Sequence, residues 1–224
     1  MKHYQVLSAL LLYPEPELLA NLPELEQVLA DTPEWQAPWS ALLRPLLTYL
    51  ADTDLIELQQ NYVMTFDRNP SHSLHLFEHI HGESRDRGQA MVDLMEEYKK
   101  HGLEMTGDDL PDFVPLFLEF LSQQDEAEAV RLLSDAIHVL AHIGRKLGAN
   151  GSPYAVVFDV LERICPVAAE ALSEPPIRDM DEALETFGPS ADGVEPLLKN
   201  NKLGAGVQPI NFHPTARRAA GNPA

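Results

Sequence analysis

Apolar residues recur at helical spacing along almost the whole chain, and this period limits the fold more than any other feature. Leu55, Leu58, Tyr62 and Phe66 step by three, four and four residues. Val130, Leu133, Ile137, Leu140 and Leu147 carry one stripe over about five turns, with Gly144 in the missing place. No segment alternates apolar and polar residues between turn signals, as a half-buried strand would. The expected fold class is all-α, a single helical bundle.

Punctuation places the breaks. Helices are expected near residues 3–12, 15–30, 37–51, 54–66, 84–101, 111–123, 125–148 and 153–171. Asp54 with Glu57 reads as a capping box. Ser152-Pro153 offers an N-cap followed by proline at the first helical position, and Gly148-Ala149-Asn150-Gly151 closes the helix before it. Pro111 opens an apolar run, while Pro45 and Pro166 should kink or divide their helices. Beyond residue 171 proline and glycine dominate and large hydrophobes are sparse, so apolar burial cannot offset the entropy of ordering. The chain therefore reads as a helical domain over 1–171 and a mostly disordered, flexible tail over 172–224, with one short helix near Asp179–Phe187.

Charge and cysteine content remove whole classes of function. The 224 residues hold 16 Lys and Arg against 35 Asp and Glu, a formal charge of −19. Nucleic acid and anionic membrane both demand a basic footprint, so neither is an expected partner; an acidic surface attracts cationic segments and resists self-association, which favours a monomer. The single cysteine, Cys165, rules out an intramolecular disulfide, and its apolar setting reads as a small buried hydrophobe rather than a nucleophile. No apolar run approaches the length of a membrane span. The apolar stretch Val6–Leu12 stops at Tyr13-Pro14-Glu15, too short for a signal peptide, and is read as a first helix. A cytoplasmic location follows as the expectation.

Two segments depart from generic helix. Residues 61–88 read NYVMTFDRNPSHSLHLFEHIHGESRDRG and collect His72, His75, His79 and His81 around Glu78. Such ligand types can hold zinc or iron, so a metal-dependent helical hydrolase built on the His72–His81 cluster is the alternative reading; the spacing matches no established metal signature. His138 and His142, one turn apart on the long stripe, read as core residues. Arg85 and Arg87 can grip a carboxylate or phosphate, but no glycine-rich phosphate cradle accompanies them, and no nucleophile–base motif is visible. The second segment, Asp109–Leu121, runs from an acidic, proline-marked loop into a strongly apolar helix with Glu119 set among Phe117, Leu118 and Phe120. It reads either as a capped core helix or as a groove with aromatic walls and an acidic rim, suited to a peptide that is apolar and basic by turns.

These segments carry a resemblance. Tyr62-x-x-x-Phe66-Asp67, Ser73-Leu74 to Phe77-Glu78-His79, and His81-Gly82-Glu83-Ser84-Arg85-Asp86-Arg87-Gly88-Gln89-Ala90-Met91 are similar to the NarJ branch of the redox-enzyme maturation chaperones. So is Leu110-Pro111-Asp112-x-x-Pro115-Leu116-x-Leu118-Glu119-Phe120-Leu121, and the match runs over roughly residues 1–171. The wider family, TorD-like and DmsD-like chaperones included, carries an acidic-x-Pro-Asp-His motif in the corresponding loop. Here the loop reads Asp109-Leu110-Pro111-Asp112-Phe113, so a role of that histidine does not transfer.

The resemblance implies a TorD/NarJ-like helical bundle without catalytic activity or cofactor, in the cytoplasm. It implies a chaperone for the apo catalytic α subunit of respiratory nitrate reductase, recognising a basic, amphipathic leader-like N-terminal segment. It would support molybdenum-cofactor and iron–sulfur insertion before membrane docking, without stable membrane association of its own. On this reading Tyr62, Phe66, Phe77, Phe113, Phe117 and Phe120 wall the client groove and Asp67, Glu78, Asp109, Asp112 and Glu119 supply its acids. His79, His81, Gly82, Arg85, Arg87, Gly88, Pro111 and Pro115 shape the loops around it.

Overall fold

Pro23 decides how the N-terminal quarter is built. In the computed structural model, which describes residues 1–31, 39–82, 84–105 and 109–172, α1 (Lys2–Leu10) is followed by α2 (Pro16–Ala20) and α3 (Leu22–Asp31). One helix was expected over 15–30. Pro23 has no N–H to give and its ring crowds the carbonyl four residues back, so the chain breaks at Asn21 and restarts. By contrast α4 (Trp39–Asp52) continues undivided through Pro45.

Asp54 caps α5 (Leu55–Tyr62) by accepting the Ile56 N–H at 2.9 Å. The expected helix over 54–66 does not end as an α-helix: Val63–Asp67 widens into a π-turn, closed by the Arg68 N–H on the Val63 carbonyl at 3.0 Å. Such turns re-aim side chains and recur at functional sites. A 3₁₀ turn (Pro70–His72) and α6 (Leu76–His81) follow, neither of them marked as helix by the sequence. Ser84 then caps α7 (Arg85–Lys100), and α8 spans Val114–Ser122.

The longest helix, α9 (Glu126–Ala149), starts on the Asp125 carboxylate, which accepts the Glu128 N–H at 2.9 Å. It ends as the glycines indicate. Gly151 takes φ of 69°, and the Gly151 and Ser152 N–H groups return to the carbonyls of Gly148 and Leu147. The Ser152 hydroxyl has no hydrogen-bond partner among the described residues, so it does not cap the next helix, and α10 begins later, at Ala155. It also stops earlier than expected, at Ile164. Cys165 takes the extended backbone that a residue before proline prefers, so Pro166 ends this helix instead of kinking it.

All of these elements are helical, and no strand occurs among the described residues; the one extended pairing is an isolated antiparallel bridge between His75 and Phe113. The core is continuous. Leu7, Leu10 and Leu11, Leu43 and Leu46 of α4, Leu118 and Leu121 of α8, Leu133, Ile137 and Leu140 of α9, and Val157 and Phe158 of α10 are all sealed from solvent. Gly144 lets α9 and α10 approach closely, since a Cβ there would lie 2.5 Å from the Cβ of Phe158. α1 packs on α8, where the Ser8 hydroxyl donates to the Pro115 carbonyl at 2.7 Å. Cys165 is buried, with its sulfur 3.7 Å from the Ser134 hydroxyl. The chain divides into a unit of Met1–Thr186 and another of Phe187–Ala224, and every described residue belongs to the first. The expected tail helix near Asp179–Phe187, like the rest of 173–224, lies outside the described residues.

Candidate functional site

The two unusual segments of the sequence meet. Across the His75–Phe113 bridge the Leu76 N–H donates to the Asp112 carbonyl at 3.0 Å, and the Val114 N–H to the Leu74 carbonyl at 2.8 Å. Asp112 secures the junction. Its side chain is fully buried, with one carboxylate oxygen on His75 Nδ1 at 3.2 Å and the other accepting the Phe77 N–H at 3.0 Å. Phe77 stands in the first turn of α6, whose own N-cap residue, His75, makes no side-chain cap. Asp112 therefore caps α6 from a different part of the chain. Burial pushes its carboxyl up, but the His75 ring, the Phe77 N–H and the Arg87 charge outweigh this and hold it below the ordinary carboxylate range. Tyr98 fastens the same loop from α7, donating to the Pro111 carbonyl at 2.7 Å.

Beside the bridge opens a cavity of about 310 Å³. Tyr62, Phe66 and Phe113 give it aromatic walls, Leu74 and Pro70 further apolar surface, and Asp67, Glu78, Ser73 and His75 its polar groups. Each is delivered by a different piece of local structure. Tyr62 ends α5 with its hydroxyl on the Leu11 carbonyl at 2.8 Å; burial first, then Tyr154 and the charges of Asp67 and Asp109, hold that hydroxyl un-ionised. The π-turn presents Phe66 inward and Asp67 at the surface. The Ser73 hydroxyl donates to Glu78 of α6, and Arg87 of α7 approaches the same carboxylate at 4.0 Å. His75 lies against Phe113, ring centres 5.5 Å apart.

Of the eleven residues expected to form a client groove, five line this cavity: Tyr62, Phe66, Asp67, Glu78 and Phe113. Phe77 is half-buried nearby, against His81. Asp109 is exposed on the loop. The other four are placed differently. Asp112 is no rim acid but a buried cap, as described. Phe117 and Phe120 belong to the core, Phe120 packing on Tyr98 at 4.5 Å, because α8 turns that face inward. Glu119 is exposed on α8 and does not line the cavity.

Among the residues expected to shape the loops, Gly82 ends α6 with φ of 52° and ψ of −130°, a conformation for which a side chain is a handicap. Pro111 and Pro115 lend their carbonyls to Tyr98 and Ser8. Arg87 reaches Glu78, whereas Arg85 is exposed in the first turn of α7. Gly88 is not a loop residue: it lies inside α7 with open space where a Cβ would go.

Among the described residues His72, His75 and His79 turn to separate partners, and the metal-hydrolase alternative finds no support. His72 uses both ring nitrogens, on the Thr65 carbonyl at 3.1 Å and the Asn150 amide at 2.6 Å. His75 turns to Asp112. His79 bonds the Ser73 carbonyl at 2.8 Å and packs edge-on against His142 of α9. His138 accepts the Glu170 N–H at 2.9 Å, fastening the chain beyond α10. The grouping of metal-type side chains that the described residues do form is elsewhere, at Glu97, His101 and Glu128, where Arg131 already bonds both carboxylates at 3.3 and 2.6 Å. Sequence reasoning passed over Ser8 and Tyr98, polar residues on otherwise ordinary helices, and read Asn150 only as part of the α9 stop; the importance of all three lies in distant partners.

The comparisons with known proteins agree with this fold. A crystal structure of a candidate redox enzyme maturation protein from Archaeoglobus fulgidus superposes with a TM-score of 0.55 at 22% identity, covering 73% of this chain and 91% of that one. The architecture is thus one shared with the maturation-protein class. More specifically, a sequence model of the nitrate reductase delta subunit family matches residues 32–159, and the chain belongs to that family. It is 40% identical over 166 residues to the nitrate reductase molybdenum cofactor assembly chaperone NarJ of Escherichia coli K12, covering 74% of this chain and 70% of that protein. A Bacillus subtilis (strain 168) protein named as a candidate NarJ chaperone is 28% identical over 162 residues, 70% of this chain and 85% of its own. No helix among the described residues is long and apolar enough to cross a membrane.

Proposed function

We propose that this protein is a dedicated assembly chaperone for a respiratory nitrate reductase. It holds the apo catalytic α subunit by its N-terminal segment and keeps it open to molybdenum-cofactor and iron–sulfur insertion, then leaves before the enzyme docks on the membrane. The observation that carries this reading is the 40% identity, over most of both chains, to a protein named as a nitrate reductase molybdenum cofactor assembly chaperone. The cavity supports the choice of client segment: aromatic walls suit the apolar face of an amphipathic peptide, and Asp67 and Glu78 suit its basic residues. A formal charge of −19 would steer such a segment inward. On this reading the protein acts as a cytoplasmic monomer and catalyses nothing itself.

Co-purification with the apo α subunit tests the assignment. The intact subunit should be captured, and a subunit lacking its N-terminal segment should be lost. Equal capture of both would remove that segment from the account.

A further inference from the structure

Where the end of α7 meets the start of α9, three side chains turn metal-ligating atoms toward one another. Glu97 and the C-cap residue His101 stand one helical turn apart on α7, and Glu128 comes from the first turn of α9. His101 Nε2 lies 3.7 Å from Glu97 Oε1 and 3.6 Å from Glu128 Oε1, and all three atoms fall within 4.8 Å of one another. Two ligands about 2.1 Å from one tetrahedral ion lie about 3.4 Å apart, so the imidazole and each carboxylate are nearly at ligand spacing before any ion is bound.

The surrounding groups hold these atoms in that arrangement. Lys100 Nζ donates to Glu97 Oε2 at 3.1 Å and Arg131 Nε to Glu128 Oε2 at 2.9 Å, which leaves Oε1 of each glutamate turned to the common point. The Phe120 ring packs against His101, centroids 5.5 Å apart, and sets the plane of the imidazole. Outer contacts of this kind orient the ligands of metal sites. The three side chains are only 26 or 27% exposed, so their rotamers are restricted by packing as well.

The place also draws a cation from within the chain. Arg131 Nη2 donates to Glu128 Oε1 at 2.6 Å and to Glu97 Oε1 at 3.3 Å, while Nη1 reaches Asp135 at 3.1 Å. The arginine side chain is half exposed and has Asp135 to fall back on, so it can yield the two inner oxygens. One imidazole nitrogen with two carboxylate oxygens is a donor set for a first-row transition ion, whereas magnesium and calcium prefer oxygen alone.

We propose that Glu97, His101 and Glu128 bind one divalent transition-metal ion of the zinc type, which moves Arg131 toward Asp135 and clamps the end of α7 to the start of α9. The role is structural. Tyr98, next to Glu97, holds the Pro111 carbonyl at 2.7 Å, so the clamp stiffens the helix from which the Asp112 loop is fastened. The site is separate from the cavity and does not rest on the client reading.

Titration of the full, untagged chain with zinc, cobalt(II) and magnesium, after chelator treatment and with no client present, tests it. Zinc should bind saturably, raise the melting temperature and shift the His101 ring signals in NMR. Cobalt(II) should compete with zinc and give visible absorption, and magnesium should do neither. His101→Ala and Glu97→Gln should each weaken zinc binding about tenfold or more, while without zinc both variants should melt close to the parent, since exposed ion pairs contribute little. Zinc bound equally well by both variants puts the ion at other histidines and overturns the clamp. So does the absence of saturable binding, or equal competition by magnesium.

Discussion

The buried carboxylate of Asp112 binds His75 Nδ1 at 3.2 Å across 37 residues of sequence, and its second oxygen caps α6 through Phe77. One side chain thus joins the two segments from which the cavity is made. Replacing it with alanine strands the His75 ring and the Phe77 N–H. Asp112→Ala should cost about 2–4 kcal/mol in urea unfolding, and Asp112→Asn less, since an amide oxygen still accepts one of the two bonds. The group also sets an acid limit. Its carboxyl is held below the ordinary range in the fold, so its stabilisation is complete above the unfolded pKa of about 3.9 and is lost as pH falls through the folded value. The melting temperature of Asp112→Asn should therefore fall less steeply below pH about 4 than that of the parent. Parallel curves would assign the acid limit to other carboxylates.

How much of this junction was legible in the sequence can be judged residue by residue. The segments containing His75 and Asp112 stood out because their composition breaks the helical monotony, and they do meet. That Asp112 faces inward was not legible. An acidic residue beside proline at a helix start has the same local signature whether it caps its own helix or another, and only the fold supplies the Phe77 N–H. Phe117 and Phe120 show the same limit, since an apolar run does not say which side packs inward. Clustering of His72, His75 and His79 in sequence was misleading for a related reason: the 3₁₀ turn and α6 rotate successive residues toward different neighbours. The helical period and the glycine stop at Gly151 were read correctly, while the breaks at Pro23, Pro45 and Ser152 were not, and neither were partners brought together by packing.

A second pH effect belongs to His79. Burial lowers its pKa, as does its neighbour His142, while the Ser73 carbonyl works the other way without prevailing. The unfolded chain takes up this proton first, so the contribution is complete above pH about 6.5 and declines as pH falls toward the lowered folded value. His79→Gln, which cannot take up a proton, should flatten the fall in melting temperature on the acid side of pH about 6.5. An unchanged slope would show that His79 is not a source of it.

Two glycines make a matched pair. At Gly144 an added Cβ would lie 2.5 Å from that of Phe158, so Gly144→Ala must force α9 and α10 apart and should destabilise by roughly 1–3 kcal/mol. Gly88 sits within α7 with open space around it, and Gly88→Ala should stabilise by about 0.5–1 kcal/mol. Denaturant titration of the two variants checks both signs at once.

Removal of residues 173–224 should leave a single cooperative thermal transition, because the residues from Met1 to Leu172 already form a continuous core among themselves. Loss of that transition would show that the segment contributes to the domain.

Calorimetric titration of the full chain with a synthetic peptide of the nitrate reductase α-subunit N-terminus, at two salt concentrations, tests the central claim most directly. Saturable binding that weakens at the higher salt and is impaired by Asp67→Asn or Glu78→Gln is the predicted result. No binding at either salt, or binding indifferent to both substitutions, would contradict recognition of that segment at this cavity.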